Sequence, residues 1–363
     1  MKLNIAILGT RGIPNQYGGF EQVAGHLAKG LVEKGHQVTV YNSHSHPYQQ
    51  DSWNGVRIIH KYDPEKLLGT AGQFIYDLNC ILDSRKRSFQ VILMLGYTSS
   101  SLWGKLYHKK TKVVINMDGL EWKRSKYSKP VRRYLLLAEN LAIRYADAYI
   151  ADSPVIKNYL DTRYAIDCTY IPYGALTDQQ SDDSILDALN LNSKDYFLLI
   201  ARIEPENNIE LILDGFHKSI SERKFLVIGK LDTPLAGKLV SKYISDKRII
   251  FFGCLYNPQQ LHSLSSHCLL YFHGHSVGGT NPSLLEAMAS QALIAAHNNP
   301  FNIAVLEEDG LYFSTIEEVK KIVEIPELLT TGKSWIRNNQ LKIVEKFNWP
   351  AVVSQYENVF NSW

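Results

Sequence analysis

The sequence predicts an α/β protein made of two doubly wound, parallel-sheet domains facing across a cleft. Three observations predict it. Short β-rich apolar runs alternate with amphipathic stretches along the chain, the pattern of a parallel sheet covered by helices on both faces. Two glycine-punctuated segments, Gly9–Gly12 with Tyr17–Glu21 near the start and His275–Asn281 near the end, each follow a strand-like run and precede a helix-like one. A chain of 363 residues, 45% hydrophobic and 11% aromatic, has the length and apolar content for two cores.

Taken in order, Ile5–Leu8, Val38–Tyr41, Val56–Ile59, Val91–Leu95, Val113–Met117 and Ala148–Ala151 read as strands with helical segments between them. Tyr170–Gly174, with its proline and glycine, and the polar stretch Thr177–Ser184 read as a linker. A second series follows: Phe197–Ala201, Phe225–Ile228, Ile249–Phe252, Leu269–Phe272 and Leu293–Ala296, separated by helical patterns such as Ile209–Ser221 and Pro282–Ser290. The tail from Ile343 to Trp363 has helical periodicity, with Pro350 near the start of its last helix. It comes after the second sheet is complete, so a return to the first domain is expected. The expected domains are residues 1–172 with 348–363, and residues 173–347.

Composition narrows the function classes. A net charge of +3 gives no global case for nucleic acid. No apolar run reaches the roughly eighteen residues of a membrane span; Tyr134–Ala151 is broken by Glu139, Arg144 and Asp147. Met1-Lys2 followed by Leu3–Leu8 and a glycine loop reads as a first strand without a secretory cleavage pattern, so a cytosolic protein is expected. Cys80, Cys168, Cys254 and Cys268 are scattered without a Cys-x-x-Cys pair, which suggests neither a zinc ribbon nor a disulfide framework. From Lys105 to Arg133, Lys and Arg far outnumber Asp118 and Glu121, with Trp103, Tyr107, Trp122 and Tyr127 interleaved. That run reads either as a solvated helix face or as a patch for anionic lipid headgroups at the inner-membrane surface.

The chemistry is concentrated at the glycine turns. A strand end followed by a glycine turn and a helix presents free backbone N–H groups and a positive helix end, which suits phosphate. Gly9, Gly12, Gly18 and Gly19 allow close approach of a ligand in the first half, yet Gly9-Thr10-Arg11-Gly12 lacks the middle glycine of the dinucleotide pattern, which weakens an NAD reading. In the second half, Arg202 follows a strand, where a guanidinium can fork onto a diphosphate; pairing with Glu204 or Glu206 is the alternative. In His273–Met288, Gly278 and Gly279 are expected to open a helix, with Asn281 as its cap and Pro282 at its first position. Glu286, a turn further, can accept hydrogen bonds from ribose hydroxyls or else face solvent. His273 and His275 have no acidic or cysteine companion nearby, and no Asp-x-Asp occurs in the chain, so no metal is expected.

At these residues the chain resembles the retaining glycosyltransferases of family 4, which have the GT-B fold, over essentially its whole length. Ala201–Asn207 resembles the family's Gly-Arg-x-x-x-x-Lys donor motif, Gly278–Met288 the second half of its Glu-x7-Glu motif, and Phe347-Asn348-Trp349 its returning helix. The opening Ile5–Pro14 with Tyr17–Glu21, Asp118–Arg124 and His273–Pro282 resemble a bacterial subgroup of polysaccharide-assembly rhamnosyltransferases. Three departures stand out: Asn207 takes the place of the donor lysine, Gly278 that of the first glutamate, and Asp118 that of a histidine often found after an N-domain strand.

The resemblance implies transfer of L-rhamnose from dTDP-L-rhamnose, with retention, onto a lipid-diphosphate-linked saccharide by a peripheral enzyme on the cytoplasmic membrane face. It implies no cofactor beyond the nucleotide sugar. Arg202, Asp118 and Glu286 are the candidate catalytic residues. The donor and its diphosphate are expected at Gly18, Gly19, Arg202, Lys230, His275, Gly278, Gly279, Thr280, Asn281 and Glu286, and the nucleoside at Gly253, Cys254 and Leu255 with Glu286. Arg11, Tyr17, Glu121, Trp122, Lys123 and Arg124 are expected on the acceptor side. A UDP-hexose or UDP-N-acetylhexosamine donor, a GT-B sugar-nucleotide epimerase and a non-catalytic carbohydrate or lipid-headgroup binding protein remain open.

Overall fold

A computed structural model describes residues 2–16, 18–124, 127–325 and 328–363. The chain divides into two compact units. The first comprises Met1–Lys123, Tyr127–Tyr173 and Trp349–Trp363, and the second Arg124–Lys126 and Gly174–Asn348.

The first unit is built on strands β1 (Asn4–Leu8), β2 (Gln37–Ser43), β3 (Ser52–Trp53), β4 (Val56–Lys61), β5 (Val91–Leu95), β6 (Lys112–Asn116), β7 (Ala148–Ala151) and β8 (Thr169–Tyr170). They lie in the order β3-β4-β2-β1-β5-β6-β7-β8, all parallel except the β3–β4 pair. Ile5 of β1 pairs with Val38 on one side and Val91 on the other. A central strand buried on both faces must be apolar throughout, and β5, Val-Ile-Leu-Met-Leu, is buried at every residue. The closing helix Trp349–Phe360 packs in this unit. Trp349 stacks on His26 with ring centroids 4.4 Å apart. Tyr356 accepts a hydrogen bond from Asn116 of β6 at 3.0 Å, and Glu357 meets Lys34 at 2.8 Å and His36 at 3.0 Å.

The second unit carries β9 (Tyr196–Ile200), β10 (Lys224–Ile228), β11 (Ile249–Gly253), β12 (Leu270–His273), β13 (Ile294–His297) and β14 (Leu311–Phe313). Their order is β11-β10-β9-β12-β13-β14, and every pair is parallel. Phe197, Phe216, Phe225, Phe272 and Phe313 are buried together at its core, in tilted and edge-on contacts between 5.1 and 6.0 Å. The helices Pro234–Lys242, Pro258–His267, Pro282–Ala289 and Pro300–Leu306 all start in one way: proline at the first position, preceded by Thr233, Asn257, Asn281 or Asn299, whose side chain accepts a backbone N–H of the first turn.

Three strands go beyond those expected from the sequence. Ser52–Trp53 and Thr169–Tyr170 are two-residue edge strands, too short to show alternation, and Leu311–Phe313 is a three-residue edge strand. Tyr170, expected in the linker, therefore closes the first sheet. The basic run is interrupted by β6. Lys105, Lys109 and Lys110 precede β6 and Lys112, paired with Asp147 at 3.1 Å, begins it, whereas Lys123, Lys129, Arg132 and Arg133 follow it. Five extended residues, roughly 16 Å, separate the two groups; Lys126 lies outside the described residues. No described helix is long and apolar enough to cross a membrane.

Candidate functional site

In an open parallel sheet, ligands bind beyond the carboxyl ends of the strands where the strand order reverses. In the second unit that point lies between β9 and β12, because β9 leads to β10 and β11 on one side and β12 to β13 and β14 on the other. Arg202 leaves the end of β9 and Gly274–Asn281 the end of β12, so the two strongest donor segments emerge side by side. They are tied together. Ser276 donates through N–H and hydroxyl to the Glu206 carbonyl at 3.0 and 2.8 Å, and Asn208 donates to the Gly274 carbonyl at 2.7 Å. A Cβ on Gly274 would collide with the Asn207 carbonyl, so glycine is required by this close approach.

Asn207, which stands where the resemblance places a lysine, is buried and donates to the Arg202 carbonyl at 2.6 Å. It closes the turn that carries the arginine. Arg202 itself is half exposed, with its guanidinium 3.9 Å from Glu204, a long contact that leaves it open to a ligand. Lys230, after β10, pairs with Asp232 at 2.6 Å, both well exposed. Gly253 ends β11 at φ 91°, followed by exposed Cys254 and half-buried Leu255, so the expected nucleoside residues share the carboxyl edge two strands from β9.

The helix begins at Pro282 with Asn281 as its cap, as expected from the sequence, and the Asn281 side chain accepts the Ser283 N–H at 3.0 Å. The Gly279 and Thr280 amides therefore belong to the loop before the helix. Gly278 has φ 123°, where a side chain is strained even though open space surrounds its Cβ position. Glu286 is half buried on the helix Pro282–Ala289. His273 and His275 stack at 5.5 Å, and burial pushes His273 down to about 3 and His275 well below its usual range, so both rings are neutral. No group of three or more His, Cys, Asp or Glu placed to hold a metal occurs among the described residues. Asn299 and Asn302, which the sequence reading missed, each donate to the His275 carbonyl at 2.9 Å. Their only sequence signal is the cap-and-proline pattern at Asn299-Pro300.

In the first unit the order reverses between β1 and β5, where Gly9 and Gly96 emerge with φ 83° each. Gly18 and Gly19, expected at the donor diphosphate, sit beside the Glu21 carboxylate. One Glu21 oxygen accepts the Arg11 N–H at 3.0 Å, and the other lies where a Gly18 Cβ would be. That buried carboxylate disfavours a phosphate at the same helix start. Asp118 follows β6 in the left-handed region, φ 49°, its N–H donating to Asn116 at 3.0 Å. Of the residues expected on the acceptor side, Glu121, Trp122 and Lys123 form a single turn after β6, with the Lys123 ammonium 5.4 Å over the Trp122 ring. Arg11 instead lies beyond β1, and Tyr17 is outside the described residues. Arg124 groups with the second unit.

Comparison with known proteins bears on both halves. Residues 181–329 match the family described as Glycosyl transferases group 1. Residues 2–176 match a domain of unknown function, DUF1972. The whole chain has the GT-B fold, as in the sucrose-phosphate synthase of Thermosynechococcus elongatus (TM-score 0.80, 18% identity, covering 99% of this chain and 98% of that one). HepE of Anabaena in complex with UDP gives a TM-score of 0.77 at 14% identity over 99% of this chain and 100% of that one. The catalytic domain of starch synthase IV from Arabidopsis thaliana, bound to ADP and acarbose, gives 0.73 at 13% over 99% of each. A curated relative, an uncharacterized 42.6 kDa protein in the cps region of Klebsiella pneumoniae, is 42% identical over 59 residues, 16% of each chain. The segment that matches this family includes Arg202, Gly278–Asn281 and Glu286, which the β9–β12 edge brings near one another.

Proposed function

We propose that the protein is a glycosyltransferase that moves a sugar from a nucleotide diphosphate onto a saccharide of cell-surface polysaccharide assembly. The donor in this reading is dTDP-L-rhamnose, the acceptor a lipid-diphosphate-linked saccharide, and the anomeric configuration is retained. The observation that carries the proposal is the group 1 glycosyl transferase match over the segments that meet at the strand-order reversal of the second sheet. The polysaccharide context is supported by the relative from a cps region.

Charge developing on the departing phosphate is met by the Arg202 guanidinium, with Lys230 and the loop amides of Gly279 and Thr280 beside it, and no metal takes part. Preorganised donors of this kind act where charge develops, and losing one costs about 3 to 4 kcal/mol of barrier. The departing phosphate oxygen takes the acceptor proton, Glu286 holds the ribose hydroxyls, and Asp118 orients the acceptor hydroxyl. Glycine at 278, in place of a glutamate that would face the donor sugar, fits a sugar other than glucose.

A second reading, a UDP-hexose donor, is favoured by the similarity to HepE, whose structures include complexes with UDP and UDP-glucose. Incubation with a panel of dTDP- and UDP-sugars and a lipid-diphosphate monosaccharide, read by mass spectrometry, separates the two. Rhamnosyl product is the expected result; hexosyl product would favour the second reading, and no transfer from any donor would remove both. In the same assay Arg202→Ala is expected to lower turnover by about 10²- to 10³-fold with an unchanged circular dichroism spectrum. Near-normal turnover would overturn the role given to Arg202.

A further inference from the structure

The first unit carries an apolar surface on the outward side of the helices that cover one face of its sheet. Four elements build it: the short helix Glu65–Leu68, the helix Gly72–Ser84, the helical turns Ser100–Leu106 and the helix Lys129–Tyr145. The two long helices cross from β4 to β5 and from β6 to β7, in the same direction along the sheet, and right-handed crossovers put them on one face of it. They meet there. Phe74 and Tyr134 have ring centroids 5.7 Å apart, and the Trp103 indole N–H donates to the Phe74 carbonyl at 2.9 Å. A Cβ on Gly72 would lie 2.5 Å from the Glu65 nitrogen, so glycine lets the short helix fold against the start of the long one.

The outward side of these helices is not the usual polar one. Ile75, Leu78 and Leu82 recur at i, i+3 and i+7 along Gly72–Ser84, opposite the buried Tyr76 and Cys80. Ile75 and Leu82 are exposed and Leu78 is half-buried. Leu67 is 80% exposed and Leu68 53%, side by side in the short helix, and Leu137 is 52% exposed on Lys129–Tyr145. Charge is just as one-sided. The four elements contain four carboxylates, and each is occupied or hidden: Glu65 accepts both arms of the Arg11 guanidinium, Asp83 is held by Lys61 and Arg87, and Asp77 and Glu139 are buried. The exposed charges of these elements are therefore all cationic, at Lys66, Lys105, Lys129, Arg133 and Arg144.

An exposed apolar patch rimmed by charge marks a docking surface, and the sign of the rim selects the partner. A second copy of the chain, docked face to face, would set cations against cations across the two-fold axis. An anionic bilayer meets both features, with headgroups for the lysines and arginines and an acyl boundary for the leucines. The projection of Leu67 into solvent suits entry into lipid. We propose that this helical face is a membrane seat in which Leu67, Leu68 and the stripe Ile75–Leu82 enter the acyl boundary of an anionic bilayer. The seat goes beyond sugar transfer and is read from the surface alone; in the glycosyltransferase reading it brings the enzyme to a lipid-linked acceptor. Insertion differs from attraction by charge in one measurable respect: salt screens the charges and leaves buried leucines in place.

The test is cosedimentation of the full chain with vesicles of phosphatidylglycerol and phosphatidylethanolamine, at low and at molar salt. The wild type is expected to bind and to keep a salt-resistant fraction. Leu67→Ser with Leu68→Ser is expected to weaken binding at least about tenfold and to remove the salt-resistant fraction. Its circular dichroism spectrum is expected to be unchanged, because both side chains are exposed. Ile220→Ser, at an 85% exposed position in the second unit, is the control and is expected to bind as the wild type does. No binding to vesicles, full release of the wild type by molar salt, equal binding by the double variant, or an equal loss in Ile220→Ser would each overturn the proposal. So would a wild-type dimer, seen by analytical ultracentrifugation, that the double variant loses. Nucleotide-sugar turnover is measured separately, without vesicles: vesicle binding without turnover would sink the glycosyltransferase reading and leave the seat, and turnover without vesicle binding would sink the seat alone.

Discussion

At the scale of single residues, two positions join backbone geometry to the site. Gly274 lets the loop after β12 lie against the Asn207 carbonyl, and Asn207 in turn holds the Arg202 carbonyl at 2.6 Å. Gly274→Ala is therefore expected to destabilise the protein by about 1–3 kcal/mol and to weaken nucleotide binding through displacement of Arg202. Urea unfolding and calorimetry with dTDP and UDP check this; unchanged nucleotide affinity would show that the contact between the segments does not position the arginine. The same residues mark how far a sequence can be read. The places of Arg202 after a strand and of Asn281 and Glu286 at and on a capped helix were legible because strand, cap and proline signals are local. The work of Asn207 was not, since its amide acts on a carbonyl whose direction depends on the folded turn.

At the scale of elements, the closing helix and the helix Gly19–Glu33 meet at Gly30. A Cβ there would lie 2.6 Å from a Val353 methyl. Alanine in place of a helical glycine ordinarily gains about 1 kcal/mol; here the clash reverses the sign. Gly30→Ala is expected to destabilise by about 1–3 kcal/mol, and Val353→Ala in the same chain to recover part of that loss, because the two side chains share one space. Additive effects in urea unfolding would show that the contact is not tight. Asn281→Ala, which removes the cap of the helix bearing Glu286, is expected to cost about 1 kcal/mol in the same measurement. Strand positions were well read because β-branched runs bounded by turns are a local signal. The edge strand Thr169–Tyr170 was missed because only its pairing with Ala148–Ala151, earlier in the chain, makes it a strand; Ser52–Trp53 was missed although it pairs with Val56–Arg57 across the Asn54-Gly55 turn, a local hairpin signal.

At the scale of the whole molecule, buried titratable groups set the pH response. Asp77 is buried, accepts the Ser99 hydroxyl at 2.6 Å, and is pushed up to about 7 by desolvation. Its folded value is above its unfolded one, so the native state binds the extra proton, and stability falls as pH rises from about 4 to about 7 and is level beyond. Asp77→Asn is expected to remove that slope, a gain of at most about 4 kcal/mol near neutrality. A wild-type urea midpoint independent of pH over that window, or a variant that keeps the slope, would refute it. His26 runs the other way: burial lowers it to about 4, so stability from this group is present above about 6.5 and is lost as pH falls toward 4. We propose that the basic group after β6 contacts anionic membrane surfaces. Charge reversal at Lys123, Arg132 and Arg133 is expected to abolish salt-sensitive binding to anionic vesicles, and unchanged partitioning would leave the run as a solvated surface.

The sequence by itself determined the two parallel sheets, the helices that cover them and the glycine-marked loops at their carboxyl edges, because periodicity, caps and turn residues act within a few positions of one another. Tertiary structure alone decided which loops meet. Strand order placed Arg202 beside Gly274–Asn281 and brought Gly9 and Gly96 together at the β1–β5 edge. Each of these depends on pairing between strands distant in the chain, and that pairing is fixed only when the buried faces pack.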